Sequence, residues 1–250
     1  YIKGMHNLLN AHFVLRNFEN FELTLCRFQK FSNTPEANQH DNFRIHTFIY
    51  INSARINQHL MRGTFEEGLK ILPEIEGKLE EYSLFVDRHR ILVFNYKFAN
   101  LYFGAGQYEK AIDYLQRIIN GPVDLRQDLQ CYARLLHLMS HYELGNDEII
   151  ESLIKSVYRF MAKMKNLTVV EEEMFRFLRR SFRVSPGELK AEFEKLLNTL
   201  RHLEKNRFET RSFAYLDLIS WVESKVYGKS MSAVIQDKYR NRKIRRYANS

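Results

Sequence analysis

His137 and His141 stand four residues apart, a spacing that sets both imidazoles on one helix face, as in a zinc-binding helix. The glutamate of His-Glu-x-x-His is missing, because Leu138 follows His137, and no third ligand accompanies the pair. The competing role is packing, with one imidazole between helices and the other partly exposed. Cys26 and Cys131 lie inside apolar helical runs, "LTLCRF" and "LQCYARLL", without the tight elbow and neighbouring base that nucleophilic catalysis requires, and are expected to be buried. They are too few for a disulfide framework, which fits a reducing compartment. There is no phosphate-binding glycine loop and no dinucleotide glycine triplet. The run Glu171-Glu172-Glu173 suits the first turn of a helix, where the dipole favours negative charge. These residues imply no metal, no cofactor and no enzyme.

A more regular polar set is Asn10, Asn57 and Asn100. Each lies eleven residues before a comparable site, at Phe21, Gly68 and Ala111, so the three occupy equivalent places on successive helices. Tyr50, Tyr96, Tyr132 and Tyr142 come from neighbouring places on the same or the next helix. An amide both donates and accepts hydrogen bonds, which suits a peptide backbone.

The elements that position these residues are helices. The chain has four prolines and ten glycines in 250 residues, and the alternation of strands is hard to find. Its 45% hydrophobic and 27% charged content suits a folded globular chain rather than a disordered one. The stretch "NLYFGAGQYEKAIDYLQRII" (100–119) reads as a helix, a turn at Gly106 and a second helix that Gly121 and Pro122 stop. Small side chains at Ala99 and Ala111 let the two backbones approach, while Tyr102, Tyr108 and Leu115 fill the space around them. The turn recurs: Phe18-Glu19, Phe65-Glu66, Tyr108-Glu109 and Asp147-Glu148 each stand two residues after Arg16, Gly63, Gly106 and Gly145. The matching sites Phe21, Gly68, Ala111 and Ile150 are spaced by 47, 43 and 39 residues. Capping boxes are predicted at Thr64/Glu67, Thr168/Glu171 and Ser185/Glu188, the last with proline at the first helical position. A single helix is predicted from about 208 to 227, and the run "SNTPEANQHDN" (32–42) reads as the longest loop.

This order of small residue, aromatic, glycine turn, aromatic-x-x-Ala and terminal proline resembles the tetratricopeptide repeat, with intervals longer than the family's usual period of about 34 residues. Asn95 departs from it, standing where the family has a large apolar residue. The resemblance implies an all-α, right-handed solenoid of about five helical hairpins, with repeats over 1–165, further hairpins over 166–228 and a basic helix over 229–250. It also implies that Asn10, Asn57 and Asn100 face a concave groove with aromatic edges, where a peptide or protein segment binds. The fourth repeat has Met139 at that place, and the flanking His6, Ser53 and Tyr96 do not reproduce the basic clamp that some members use for a terminal carboxylate. A polar lining that only keeps a curved surface soluble is the alternative.

The formal charge of +8 is uneven. From residue 229 onward seven cations face one acid, Asp237, a net +6 that leaves +2 for residues 1–228. In "MSAVIQDKYRNRKIRRY" (231–247) Met231, Val234, Ile235, Tyr239 and Ile244 gather on one side, so Lys238, Arg240, Arg242, Lys243, Arg245 and Arg246 are predicted to face outward. A capping helix with solvated charges is one reading; contact with nucleic acid, acidic protein or a membrane surface is the other. No apolar run reaches the roughly 18 residues of a membrane span, so a cytoplasmic chain is expected. The opening at Tyr1, already within a helical pattern, reads as a piece cut from a longer protein whose upstream part carries the activity. The function these features imply is a non-catalytic interaction module; the alternative is a regulatory or nucleic-acid-associated protein acting through the basic tail or an upstream domain.

Overall fold

The computed structural model describes residues 1–123, 126–206 and 210–247; the side chains of 210, 211 and 242–247 lie outside what it describes. Among the described residues the regular structure is helical and no strand occurs.

The first part of the chain is a series of antiparallel helix pairs. α1 (Ile2–Val14) turns into α2 (Phe18–Ser32), and α4 (Asp41–Arg62) turns into α5 (Phe65–Leu69), with α3 (Pro35–Asn38) between the pairs and α6 (Leu72–Glu81) after them. α7 (Arg88–Gly104) turns into α8 (Tyr108–Ile119), and α9 (Gln127–Glu143) into α10 (Asp147–Lys163). The turn residues Arg16, Gly63, Gly106 and Gly145 all adopt left-handed backbone, with φ of 52°, 69°, 77° and 66°. After each, an amide reaches back five residues to a helix carbonyl: Asn17 to His12 (2.9 Å), Thr64 to His59 (3.1 Å), Gln107 to Tyr102 (2.9 Å) and Asn146 to His141 (3.1 Å). This is the helix stop that a left-handed residue creates. Four or five residues further on, the sites singled out in the sequence are all buried, Phe21 and Ala111 at 0% exposure and Gly68 and Ile150 beside them in class. A Cβ on Gly68 would stand 2.9 Å from Leu101 Cδ2, so at this point the helices approach too closely for a side chain.

The pairs stack in sequence. α1 packs on α4, α4 on α7 and α7 on α9, while α2, α5 and α8 each pack on the first helix of the next pair. α11 (Val169–Ser181) and α12 (Pro186–Leu203) continue from α10, and both begin in capping boxes: the Thr168 and Ser185 amides donate to Glu171 (2.9 Å) and Glu188 (3.0 Å). α13 (Thr210–Tyr215) and α14 (Leu218–Tyr227) follow, and α14 packs on α12. The last helix, α15 (Met231–Tyr247), returns to the second pair. Ser232 Oγ (2.6 Å) and Gln236 Nε2 (3.1 Å) both donate to the Gly63 carbonyl, and the Tyr239 ring meets Phe18 edge-on at 5.1 Å.

Four expectations are corrected. The helix predicted over 208–227 is broken at Leu216 and Asp217, because the Asp217 carboxylate accepts from the Ser220 amide (3.1 Å) and starts α14 afresh. Thr64 forms no capping box; its hydroxyl is bonded to His59 Nδ1 (2.9 Å) instead. The run 32–42 contains the short helix α3, capped by Thr34 with Pro35 at its first position. Cys26 is exposed, since α2 buries Leu25 and Phe28 on its other side, whereas Cys131 is buried as expected.

The contact between α15 and the Gly63 turn generates a test. Gly106 and Gly63 share the left-handed conformation, but a Cβ on Gly106 meets open space while one on Gly63 would stand 2.8 Å from Ser232 O and 2.9 Å from Ile235 Cβ. Gly106→Ala should therefore lose only the conformational cost, about 1–2 kcal/mol. Gly63→Ala should lose about 1–3 kcal/mol more through overpacking. Urea unfolding measures both, and equal losses would show that α15 does not press on this turn.

Candidate functional site

The face of α1, α4, α7 and α9 that looks toward α13 has two chemically distinct halves. In the first, α1, α4 and α7 bring together His6, Asn10, Tyr50, Asn57, Arg90 and Lys97. The His6 ring lies flat on Tyr50 with centroids 3.9 Å apart, and its Nε2 is 3.0 Å from the Asn10 amide nitrogen. Arg90 donates to the Tyr50 hydroxyl (3.1 Å), stands 3.1 Å from His46 Nε2 and pairs with Asp87 (3.2 Å). Lys97 projects from α7 across to α4, where its Nζ donates to the Ser53 carbonyl (3.3 Å) and to Asn57 Oδ1, and it lies 5.8 Å from the centre of the Phe13 ring. Among the described residues no carboxylate pairs with Lys97.

The electrostatics follow from that missing partner. Burial alone pushes the Lys97 ammonium down to about 7, with nothing negative to restore it. Burial also lowers His6 to about 4, and the cations Lys97 and Arg90 lower it further. At neutral pH His6 is therefore an uncharged hydrogen-bonding ring, and Lys97 titrates in the physiological range.

The second half is aromatic and already covered. Tyr132 of α9 is completely buried, stacked at 4.4 Å and 9° on Tyr215, which closes α13. Tyr96 is 6% exposed and donates its hydroxyl to the Tyr215 carbonyl (3.1 Å). The Tyr215 hydroxyl bonds to Asp128, which Arg126 also holds at 2.9 Å. Burial acts to raise the Asp128 carboxyl, but the bonds from Arg126 and Tyr215 outweigh it and hold the group well below the usual carboxylate range. Arg16 reaches Asp217 at 3.4 Å just beyond α13.

The sequence-predicted groove residues are thus placed unevenly. Asn57 is 2% exposed and spent on Lys97, Asn10 is engaged with His6, and Asn100 donates to the Tyr96 carbonyl of its own helix (2.8 Å). Asn57 is thus buried against Lys97, while Asn10 and Asn100 are half-buried, the first beside the half-buried His6 and the second on its own helix. Tyr50 is brought into the basic half, and Tyr96 and Tyr132 into the aromatic half, where they do not form open edges because Tyr215 covers them. Tyr142 packs edge-on against Phe182 (5.5 Å) and Trp221 (6.1 Å). In the basic tail, Lys238 is only partly turned outward: it joins Arg201 on the nearly buried Glu223 carboxylate (2.5 Å) and donates to Ser220 Oγ (2.9 Å). Arg240 is exposed, and the side chains of Arg242, Lys243, Arg245 and Arg246 lie outside the described residues. His137 and His141 meet edge-on at 4.5 Å, both half-buried, and no three potential metal ligands converge among the described residues.

No family model, curated protein or solved structure matches this chain. The residues that sequence reasoning missed are Lys97, His6, Arg90 and Tyr215. Lys97 carried a signal, as the one charged residue in the run "ILVFNYKFANLYF" (91–103), whereas Tyr215 carried none.

The two depressed pKa values set opposite ends of a stability profile. Between about 7 and the ordinary 10.5 the unfolded chain holds a proton on residue 97 that the folded chain has lost, so stability rises with pH across that window. Between 6.5 and about 4 the unfolded chain protonates His6 first, so stability falls as pH drops. Urea midpoints measured from pH 4 to 10 should show both slopes. Lys97→Met should flatten the alkaline one and raise the midpoint at pH 7; an unchanged alkaline slope would mean that Lys97 is not desolvated.

Proposed function

We propose that the chain is a non-catalytic interaction module, a tetratricopeptide-like right-handed solenoid of about five hairpins whose inner face binds an acidic segment of a protein partner. The architecture is supported by the four left-handed turns, the buried site that follows each of them and the stacking of each helix pair on the next. The binding chemistry is carried by one observation: Lys97 lies within the inner face without a carboxylate, beside His6, Asn10 and Arg90. A buried ammonium costs several kcal/mol of lost hydration unless it is paired, and an incoming carboxylate supplies the missing charge. A lysine perturbed by desolvation within a cleft is a candidate functional group.

The reading through the basic tail has less support, because Lys238 is spent on Glu223. Contact with nucleic acid would have to rest on cations beyond it or on sequence outside this chain.

The test is a panel of labelled twelve-residue peptides of graded Asp and Glu content, each paired with its Asn and Gln counterpart. The wild-type chain should prefer the acidic member of each pair, and increasingly so at low salt. Lys97→Met removes a charged hydrogen bond worth about 1.5–3 kcal/mol and should weaken acidic peptides about ten- to a hundredfold while leaving neutral ones unchanged. Identical profiles for the two proteins would end this reading.

A further inference from the structure

The segment 212–217 differs from the helices around it in how it is held. α13 has six residues, far fewer than a helix needs to persist without tertiary support. It lies between α12 and α14 in the chain, with Ser212 and Leu216 buried and Asp217 paired with Arg16, and its directional contacts to α7 and α9 come from Tyr215. Tyr215 stacks on Tyr132, accepts from Tyr96 through its carbonyl and bonds to Asp128 through its hydroxyl. Ser212 adds weak bonds of 3.4 Å to Tyr132 and Thr168.

The packing around this segment is incomplete. A cavity of about 50 Å³, large enough for water, lies beneath it between Asn100, Met139, Phe213, Tyr215 and Asp217. A second recess of about 230 Å³ opens on its other flank beside Leu15, Arg16, Phe213 and Asp217. Phe213, Ala214 and Tyr215 remain half-exposed, although the tyrosines beneath them are buried. The receptor side is better built than the occupant: two buried aromatic rings, a fixed carboxylate and a guanidinium surround one phenol.

We infer that Tyr96, Tyr132, Arg126 and Asp128 form a binding pocket for a tyrosine side chain, that Tyr215 is its built-in occupant, and that a partner segment presenting a tyrosine enters by displacing residues 212–217. The stacked ring supplies affinity through burial and aromatic contact, and Asp128, already paired with Arg126, favours tyrosine over phenylalanine because the phenol donates one further bond to its carboxylate. The pocket adjoins the basic half of the face through the consecutive residues Tyr96 and Lys97, so a segment bearing a tyrosine beside acidic residues engages both. This inference rests on the reading of the inner face as a surface for protein segments, but it concerns a separate set of residues.

The probe is a labelled peptide with the sequence of residues 210–219, "TRSFAYLDLI", together with the same peptide carrying phenylalanine or alanine in place of its tyrosine. In full-length Tyr215→Ala the pocket is vacant, and the tyrosine peptide should bind at least tenfold more tightly than to the wild-type chain. The phenylalanine peptide should gain less and the alanine peptide nothing. Equal binding to both proteins, or a gain indifferent to the tyrosine, would overturn the inference. Hydrogen exchange of the wild-type chain gives a second measure that needs no variant: amides of 212–217 should exchange at least a hundredfold faster than those at the centres of α7 and α9. Exchange as slow as those helices would make the segment a fixed part of the core and overturn its role as a displaceable occupant. With asparagine in place of the peptide's aspartate, Lys97→Met should leave binding to Tyr215→Ala unchanged, so a failure here is separable from a failure of the acidic-segment reading.

Discussion

A helix that ends in a left-handed residue must reverse, and this reversal recurs along the chain. At Arg16, Gly63, Gly106 and Gly145 the positive φ lets the following amide bond five residues back, which closes the helix and aims the chain antiparallel within two residues. The same geometry stops α10 at Lys165, where Asn166 reaches Met161, and α14 at Gly228, where Lys229 reaches Ser224. Turns this short leave the paired helices no freedom of register. The first turn of each second helix must then lie against the helix before it, which is why Phe21, Gly68, Ala111 and Ile150 are all buried despite their different sizes. At Gly68 the approach is close enough that a Cβ would stand 2.9 Å from Leu101 Cδ2 and 3.0 Å from His59 Cβ.

Stacked pairs leave the first helices with an inner face, and burial of that face creates the electrostatic tension at Lys97. A lysine in an apolar setting lowers its pKa or finds an acid, and here the second course is absent among the described residues. Asn57 and the Ser53 carbonyl replace part of the lost hydration, while His6 is kept neutral by its burial and further by Lys97 and Arg90. Of the three asparagines only Asn57 serves the cation; Asn10 bonds beside His6 and Asn100 to the Tyr96 carbonyl.

The return of the chain over its own inner face divides that face in two. α14 is anchored by Trp221, whose ring nitrogen donates to Glu143 (2.6 Å), and α15 by the pairing of Lys238 with Glu223 and the bonds to the Gly63 carbonyl. These contacts follow the segment 212–217 in the chain, and Tyr215 itself holds the segment on α7 and α9 through Tyr96 and Tyr132. The aromatic half is filled as a result, whereas His6, Asn10 and Lys97 of the basic half remain partly exposed.

By itself the sequence determined the helical class, the places where helices reverse and the sites of closest approach. Each is a local property: left-handed backbone favours glycine at three of the four turns, capping boxes at Thr168 and Ser185 act over three residues, and helical spacing sets which side chains share a face. Local reasoning failed where a residue had two local roles available. Asp217 read as one more position in a helix until its capping of Ser220 split that helix, and Thr64 had a histidine within reach that drew it from its box. Only the tertiary structure decided which polar groups are free. Whether Asn57 faces a ligand or a lysine depends on a side chain 40 residues away, and whether Tyr132 is an open edge depends on Tyr215, 83 residues further on. Periodicity assigns residues to a face, but what covers that face is fixed by contacts between distant segments, which leave no repeating mark in the sequence.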